Sequence, residues 1–157
     1  MSRSEPSALG LPRRLGPHDG PALAAVAALD GGLFPAAPLA AGNLVLLARA
    51  GLLLACLAGP TTCAGYALAL PTLAPRRALL LALGTAPAWR GRGVASRLLE
   101  SIYIELAVQG RRELELTVAP ANAAALALYQ RQGFVTVADL PDHLGPGQHR
   151  RLLVRSW

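Results

Sequence analysis

The stretch from Leu79 to Val118 constrains the fold most tightly. Leu79 to Thr85 is a near-continuous apolar run, the pattern of a central strand covered on both faces. The glycine-broken turn Arg90-Gly91-Arg92-Gly93 comes next. Val94, Leu98, Leu99, Ile102 and Leu106 then repeat at helical spacing, and Gly110 stops the helix. Leu114 to Val118 alternates with Glu113 and Glu115, as a strand should. A strand, a long amphipathic helix and a second strand in this order form a crossover, so the chain is α/β.

The flanking segments fit the same class. Ala8 to Leu15 reads as a short edge strand, where Pro12 is tolerated because an edge amide needs no ladder partner. Asp19 and Pro21 mark a helix start, with the Asp19 carboxylate placed to accept from the first free amides. That helix is expected through Ala22 to Leu29, with a stop at Gly31-Gly32. Ala40 to Ala50 fits a short helix slightly better than a strand. Leu52 to Leu57 and Thr62 to Leu70 pair through the Gly59-Pro60-Thr61 turn, and Pro71 to Arg77 is a loop. Asn122 to Arg131 is a second crossover helix, closed by Gly133. Phe134 to Leu140 and His149 to Arg155 are the last strands. The expected order is β-α-α-β-β-β-α-β-α-β-β: a mixed central sheet with helices on both faces, one domain spanning residues 1–157.

Composition narrows the setting. A chain of 157 residues can bury a continuous core, and 53% hydrophobic against 15% charged residues excludes intrinsic disorder. Cys56 and Cys63 cannot make a disulfide framework or a four-thiolate zinc site, so no metal is expected; buried reduced thiols are. Leu44 to Ala58 is interrupted by Arg49 and Gly51 and falls short of a membrane span. Met1 to Gly10 has no apolar leader core, so a cytoplasmic location is expected. The net charge is +6, and all 15 basic residues are Arg. They are scattered as pairs (Arg13-Arg14, Arg76-Arg77, Arg111-Arg112, Arg150-Arg151) rather than gathered into a stripe, which argues against a nucleic-acid partner.

Two constellations carry chemistry. Leu83 to Ser96, L-G-T-A-P-A-W-R-G-R-G-V-A-S, is a strand, a glycine turn and a helix start. There the loop backbone and the first free helix amides converge on one place, a geometry that binds phosphate. Gly91 and Gly93 allow close backbone approach, and Arg90 and Arg92 add charge for more distant phosphates. The turn lacks the Gly-Lys-Ser/Thr ending of a P-loop and the third glycine of a dinucleotide fingerprint. In Leu114 to Phe134, Asn122 and Tyr129 lie two helical turns apart, with small Ala125 between them. They are placed to form a wedge with the phosphate-binding turn and to admit a linear ligand. Taken singly, the glycines could mark a plain turn, Asn122 an N-cap and Tyr129 a core residue.

Taken together, R-G-R-G-V-A-S-R-L-L and N-A-A-A-L-A-L-Y-Q-R-Q-G-F resemble the GNAT superfamily of N-acetyltransferases. Arg90, Gly93 and Ala95 match its Q/R-x-x-G-x-G/A pyrophosphate motif. Asn122, Ala125, Tyr129, Gly133 and Phe134 match its N-x-x-A-x-x-x-Y-x-x-x-G-F signature, and Gly65-Tyr66-Ala67 matches the start of its third strand. The resemblance implies acetyl-CoA as cosubstrate. It assigns the pantetheine arm to backbone groups of Leu83, Gly84 and Thr85, and the pyrophosphate to amides of Gly91, Arg92, Gly93, Val94, Ala95 and Ser96. It further implies a cofactor contact for Asn122 and a place beside the thioester sulfur for Tyr129. The implied reaction is direct attack of a neutral primary amine, with Tyr129 protonating the leaving thiolate. The acceptor would be a protein N-terminus, a lysine or a small-molecule amine, and dimers are common for the fold.

Local similarity is strongest to the ribosomal-protein N-terminal alanine acetyltransferases. Their fifth strand reads L-E-V-R-x-x-N, and the glutamate's position is Thr117 here. Thr cannot act as that base. Glu115 on the same strand face, and Asp139, Asp142 and His143 near the last strands, are the remaining candidates, each also readable as an ordinary solvated residue. The early helices hold only Asp19 and Asp30, too few acids for a polycationic acceptor. The missing glutamate also admits a non-catalytic acyl-CoA sensor of the same fold, against which Tyr129 argues.

Overall fold

The structure, a computed structural model, describes residues 8–157. What the sequence suggests of residues 1–7, the absence of a leader core and the outer end of the single-domain range, lies outside the described residues. The elements are β1 (Arg13–Leu15), α1 (Gly20–Leu33), α2 (Ala41–Ala50), β2 (Leu52–Leu57), β3 (Cys63–Pro71) and β4 (Arg77–Thr85), then α3 (Val94–Val108), β5 (Glu113–Val118), α4 (Ala123–Arg131), β6 (Val135–Leu140) and β7 (Arg150–Ser156). A single 3-10 turn, Pro87–Trp89, stands between β4 and α3. The strands form one seven-stranded mixed sheet in the order β1-β2-β3-β4-β5-β7-β6. The β4–β5 pair is parallel, and its ladder holds only Arg77 to Leu79 against Glu113 to Glu115. The order of elements is the one expected from the sequence, and the 40–50 segment is helical, burying Leu44 and Ala48.

The described residues pack as two compact units, residues 8–70 with 81–105 and residues 71–80 with 106–157. The first has a core of Leu15, Leu23, Val26, Leu44, Leu53, Tyr66 and Leu68. In the second, β7 pairs antiparallel with β5 along its length, Glu113 opposite Ser156 through Val118 opposite Arg151, and with β6 on its other side.

Four local expectations are corrected. The edge strand is only Arg13–Leu15, since Pro12 has no amide to donate; before it, Gly10 alone donates to the Leu57 carbonyl, at 3.0 Å. Asp19 precedes α1 but does not cap it. Its carboxylate accepts from the Gly16 amide at 2.7 Å and lies 3.4 Å from Arg13. Helix α1 continues through Gly31-Gly32 to Leu33, because Asp30 holds the segment beyond the helix end. Its carbonyl accepts from the Phe34 amide at 2.8 Å and its carboxylate from the Leu39 amide at 2.6 Å. Finally, β4 is not covered on both faces. Burial alternates along it and Leu81 is 44% exposed, whereas β2 and β3 are buried nearly throughout. An apolar run marks a strand without revealing whether its second face meets protein or solvent.

Candidate active site

In the first unit, β4 leads through Pro87–Trp89 into α3, and glycines set how closely these parts approach. A Cβ on Gly84 would stand 2.7 Å from both the Leu33 Cδ1 and the Tyr66 ring; one on Gly65 would stand 2.6 Å from the Val94 side chain. Both positions exclude any side chain. At the turn the requirement is different. Gly91 and Gly93 have φ of +73° and +76°, and a Cβ on either would meet nothing. These glycines are needed for backbone conformation, and the space beside them is open.

The Arg97 amide is the first of α3 to find a carbonyl outside the helix, that of Gly93 at 3.0 Å. Among the described residues, the amides of Gly91, Arg92, Gly93, Val94, Ala95 and Ser96 have no acceptor. A row of free N–H groups at the positive end of a fifteen-residue helix suits a multiply charged anion such as pyrophosphate. Arg90 is exposed at the turn, and the Arg92 guanidinium lies 5.0 Å from the Trp89 ring centre, a cation–π contact that tethers its charge. Leu83 and Thr85 are half-buried on either side of buried Gly84.

In the second unit, Asn122 lies outside α4 as its N-cap, exposed, with its side-chain oxygen accepting from the Ala125 amide at 3.2 Å. Tyr129 is buried and meets Phe134 edge to face, ring centres 5.4 Å apart. The two residues therefore differ in burial and in backbone setting, despite the spacing that suggests one helical face. Thr117 is bound by Arg150, whose Nε donates to the Thr117 hydroxyl at 3.1 Å and whose Nη2 donates to its carbonyl at 2.7 Å. Burial pulls the Arg150 pKa down, and the neighbouring Tyr129 phenol opposes the shift. The candidate bases are engaged elsewhere: Glu115 lies 3.2 Å from Arg77, which also binds Glu113 at 2.8 Å, and Asp139 lies 3.0 Å from Arg151. Exposed His149 accepts from the Asp142 amide at 3.1 Å. These last groups border an open cavity of about 290 Å³, with Pro120, Leu140 and Pro141 as its apolar wall and Asp139, His149, Arg150 and Arg151 as its polar one.

Sequence reasoning missed Arg150, which looked like half of a surface Arg pair. The available signal was a threonine on the β5 face with an arginine at the start of the strand that pairs with β5. It also missed the single buried polar residue among those described, Asp30, whose carboxylate accepts from the Tyr66 hydroxyl. Cys56 and Cys63 are free and buried, as expected.

Comparison with known proteins agrees with this fold. The sequence model of the acetyltransferase (GNAT) family matches residues 34–134. Among solved structures, the ribosomal-protein-S18-alanine N-acetyltransferase from Escherichia coli is 21% identical, with a TM-score of 0.76 over 95% of this chain and 94% of that one. The aminoglycoside 6'-N-acetyltransferase from Enterococcus faecium is 13% identical, with a TM-score of 0.78 over 93% and 96%. An aminoglycoside 6'-N-acetyltransferase complexed with coenzyme A is 14% identical, with a TM-score of 0.78 over 93% and 96%. Among the described residues, no helix is long and apolar enough to cross a membrane.

Proposed function

Because this chain belongs to the GNAT acetyltransferase family, we propose that it is a cytoplasmic, single-domain N-acetyltransferase that transfers the acetyl group of acetyl-CoA to a primary amine. The observation that carries the reading is the row of acceptor-free amides from Gly91 to Ser96 ahead of α3. They hold the pyrophosphate, with Arg90 and Arg92 adding charge. Backbone groups of Leu83, Gly84 and Thr85 take the pantetheine arm, and Asn122 adds a cofactor contact.

Bound acetyl-CoA supplies the acetyl group as a thioester. The neutral amine forms a bond to the acetyl carbon, a β4 amide takes the charge that develops on the carbonyl oxygen, and the C–S bond breaks. Tyr129 gives its proton to the departing thiolate and recovers one through water from the nitrogen, which became cationic on forming its bond and leaves as the neutral amide. Tyrosine is among the side chains that serve as a positioned general acid. The amine itself must arrive without its extra proton. With Thr117 unable to act and Glu115 paired to Arg77, that proton leaves through water.

Thiol release from acetyl-CoA, measured across a panel of primary amines, tests the proposal. Turnover with at least one amine supports it. Tyr129→Phe should then lower kcat on the order of a hundredfold or more while acetyl-CoA still raises the melting temperature. Stabilisation by acetyl-CoA without thiol release from any amine would identify the sensor reading, which the absence of a glutamate at 117 favours.

A further inference from the structure

Of the two arginines that line the cavity of the second unit, one pairs with a carboxylate and one does not. Asp139 is matched by Arg151 at 3.0 Å, and His149 is engaged with Asp142. Arg150 is left over. Its two hydrogen bonds both go to Thr117, a neutral residue, and no carboxylate among the described residues lies within ion-pair distance of it. Of the five N–H bonds of a guanidinium, those two contacts use one on Nε and one on Nη2, leaving three donors. The side chain is half-buried at the edge of an open cavity, and burial pulls its pKa down. Its three remaining donors are placed to take an anion that enters the cavity.

The surroundings define which anion. Pro120 and Leu140 give the cavity an apolar wall, and about 290 Å³ admits a small organic acid. The Thr117 contacts fix the guanidinium plane from one side, so its free edge is presented as a fork, the shape that pairs with a carboxylate. Tyr129 is close enough for its phenol to affect the Arg150 charge. Arg150 therefore lies within electrostatic reach of the proposed proton donor.

We propose that Arg150 and its cavity form a carboxylate subsite for the acceptor, so that the substrate is an amine that also bears a carboxylate, such as an amino acid, rather than a neutral or polycationic amine. The inference rests on the acetyltransferase reading and sharpens it. Arg150 binds the acid and thereby orients the amine for reaction.

The test measures thiol release with matched pairs of acceptors, amino acids against their carboxamides. Wild-type protein should favour the acids by on the order of tenfold or more in kcat/KM, mostly through KM, the scale of a charge-assisted pair. Arg150→Gln should collapse that acid-to-amide ratio toward one, and Arg150→Lys should restore part of it. Stabilisation of both variants by acetyl-CoA would show that they remain folded. A wild-type preference for amides, or a ratio that Arg150→Gln leaves unmoved, would overturn the subsite while leaving the acetyltransferase standing. Absence of acetyl-CoA binding by the wild type would overturn both.

Discussion

Tyr66→Phe removes one oxygen from the interior and tests how the first unit is held together. Tyr66 is 0% exposed, and its hydroxyl donates to the carboxylate of Asp30, itself 2% exposed. The other carboxylate oxygen accepts from the Leu39 amide at 2.6 Å, and the Asp30 carbonyl accepts from Phe34 at 2.8 Å. One residue thus anchors both ends of the loop after α1. Burial and the bond to Asp30 both push the Tyr66 pKa up, which keeps the hydroxyl protonated as a donor. Without it the carboxylate keeps a single partner in a site closed to water. Leaving a buried acid short of a hydrogen bond costs about 3 kcal/mol. For a chain of this length that lowers the melting temperature by roughly 6–12 °C. Differential scanning calorimetry and urea denaturation of the two proteins at pH 7 read the effect. A loss under about 1 kcal/mol would mean that the carboxylate finds an equal partner elsewhere, and the anchoring role would be wrong.

Gly93→Val should abolish the thermal stabilisation by acetyl-CoA, because a β-branched residue resists φ of +76° and the turn amides would point elsewhere; an undiminished shift in melting temperature would contradict this. Gly84→Ala should destabilise by about 1–3 kcal/mol in urea denaturation, since its Cβ would stand 2.7 Å from the Tyr66 ring and from Leu33. Alkaline pH should weaken the fold. Burial pushes the Cys63 thiol up to about 12, against an unfolded value near 9.0, and also raises Cys56. Folded protein holds these protons where unfolded chain has lost them, so stability is full below pH 9 and falls as pH rises toward 12. The slope from Cys63 is about 1.4 kcal/mol per pH unit, with Cys56 acting in the same direction, read as a falling urea midpoint.

The crossover from β4 through α3 to β5 was legible because glycine punctuation, helical periodicity and strand alternation all agree there. So was the α4 signature, whose Asn122 caps the helix and whose Tyr129 packs on Phe134. The features that escaped depend on partners distant in the chain. Gly31-Gly32 looks like a helix stop; the helix passes through it because Asp30 is tied to Tyr66, 36 residues away. Arg150 looks like a surface charge until the β5–β7 register brings its end of the strand to Thr117, 33 residues away. The exposed face of β4 was hidden for a related reason. Apolar spacing reports that residues prefer burial, and Leu81 at 44% exposure shows that the preference is not always met.

The cofactor cradle can be watched atom by atom in the amide nitrogen–proton spectrum of the labelled protein as acetyl-CoA is added. The resonances of Gly91 through Ser96 should move saturably, each N–H shifting as it gains an anionic acceptor. If those six signals stay in place while acetyl-CoA is in excess, or if the shifts gather in another part of the chain, the proposed cradle is wrong.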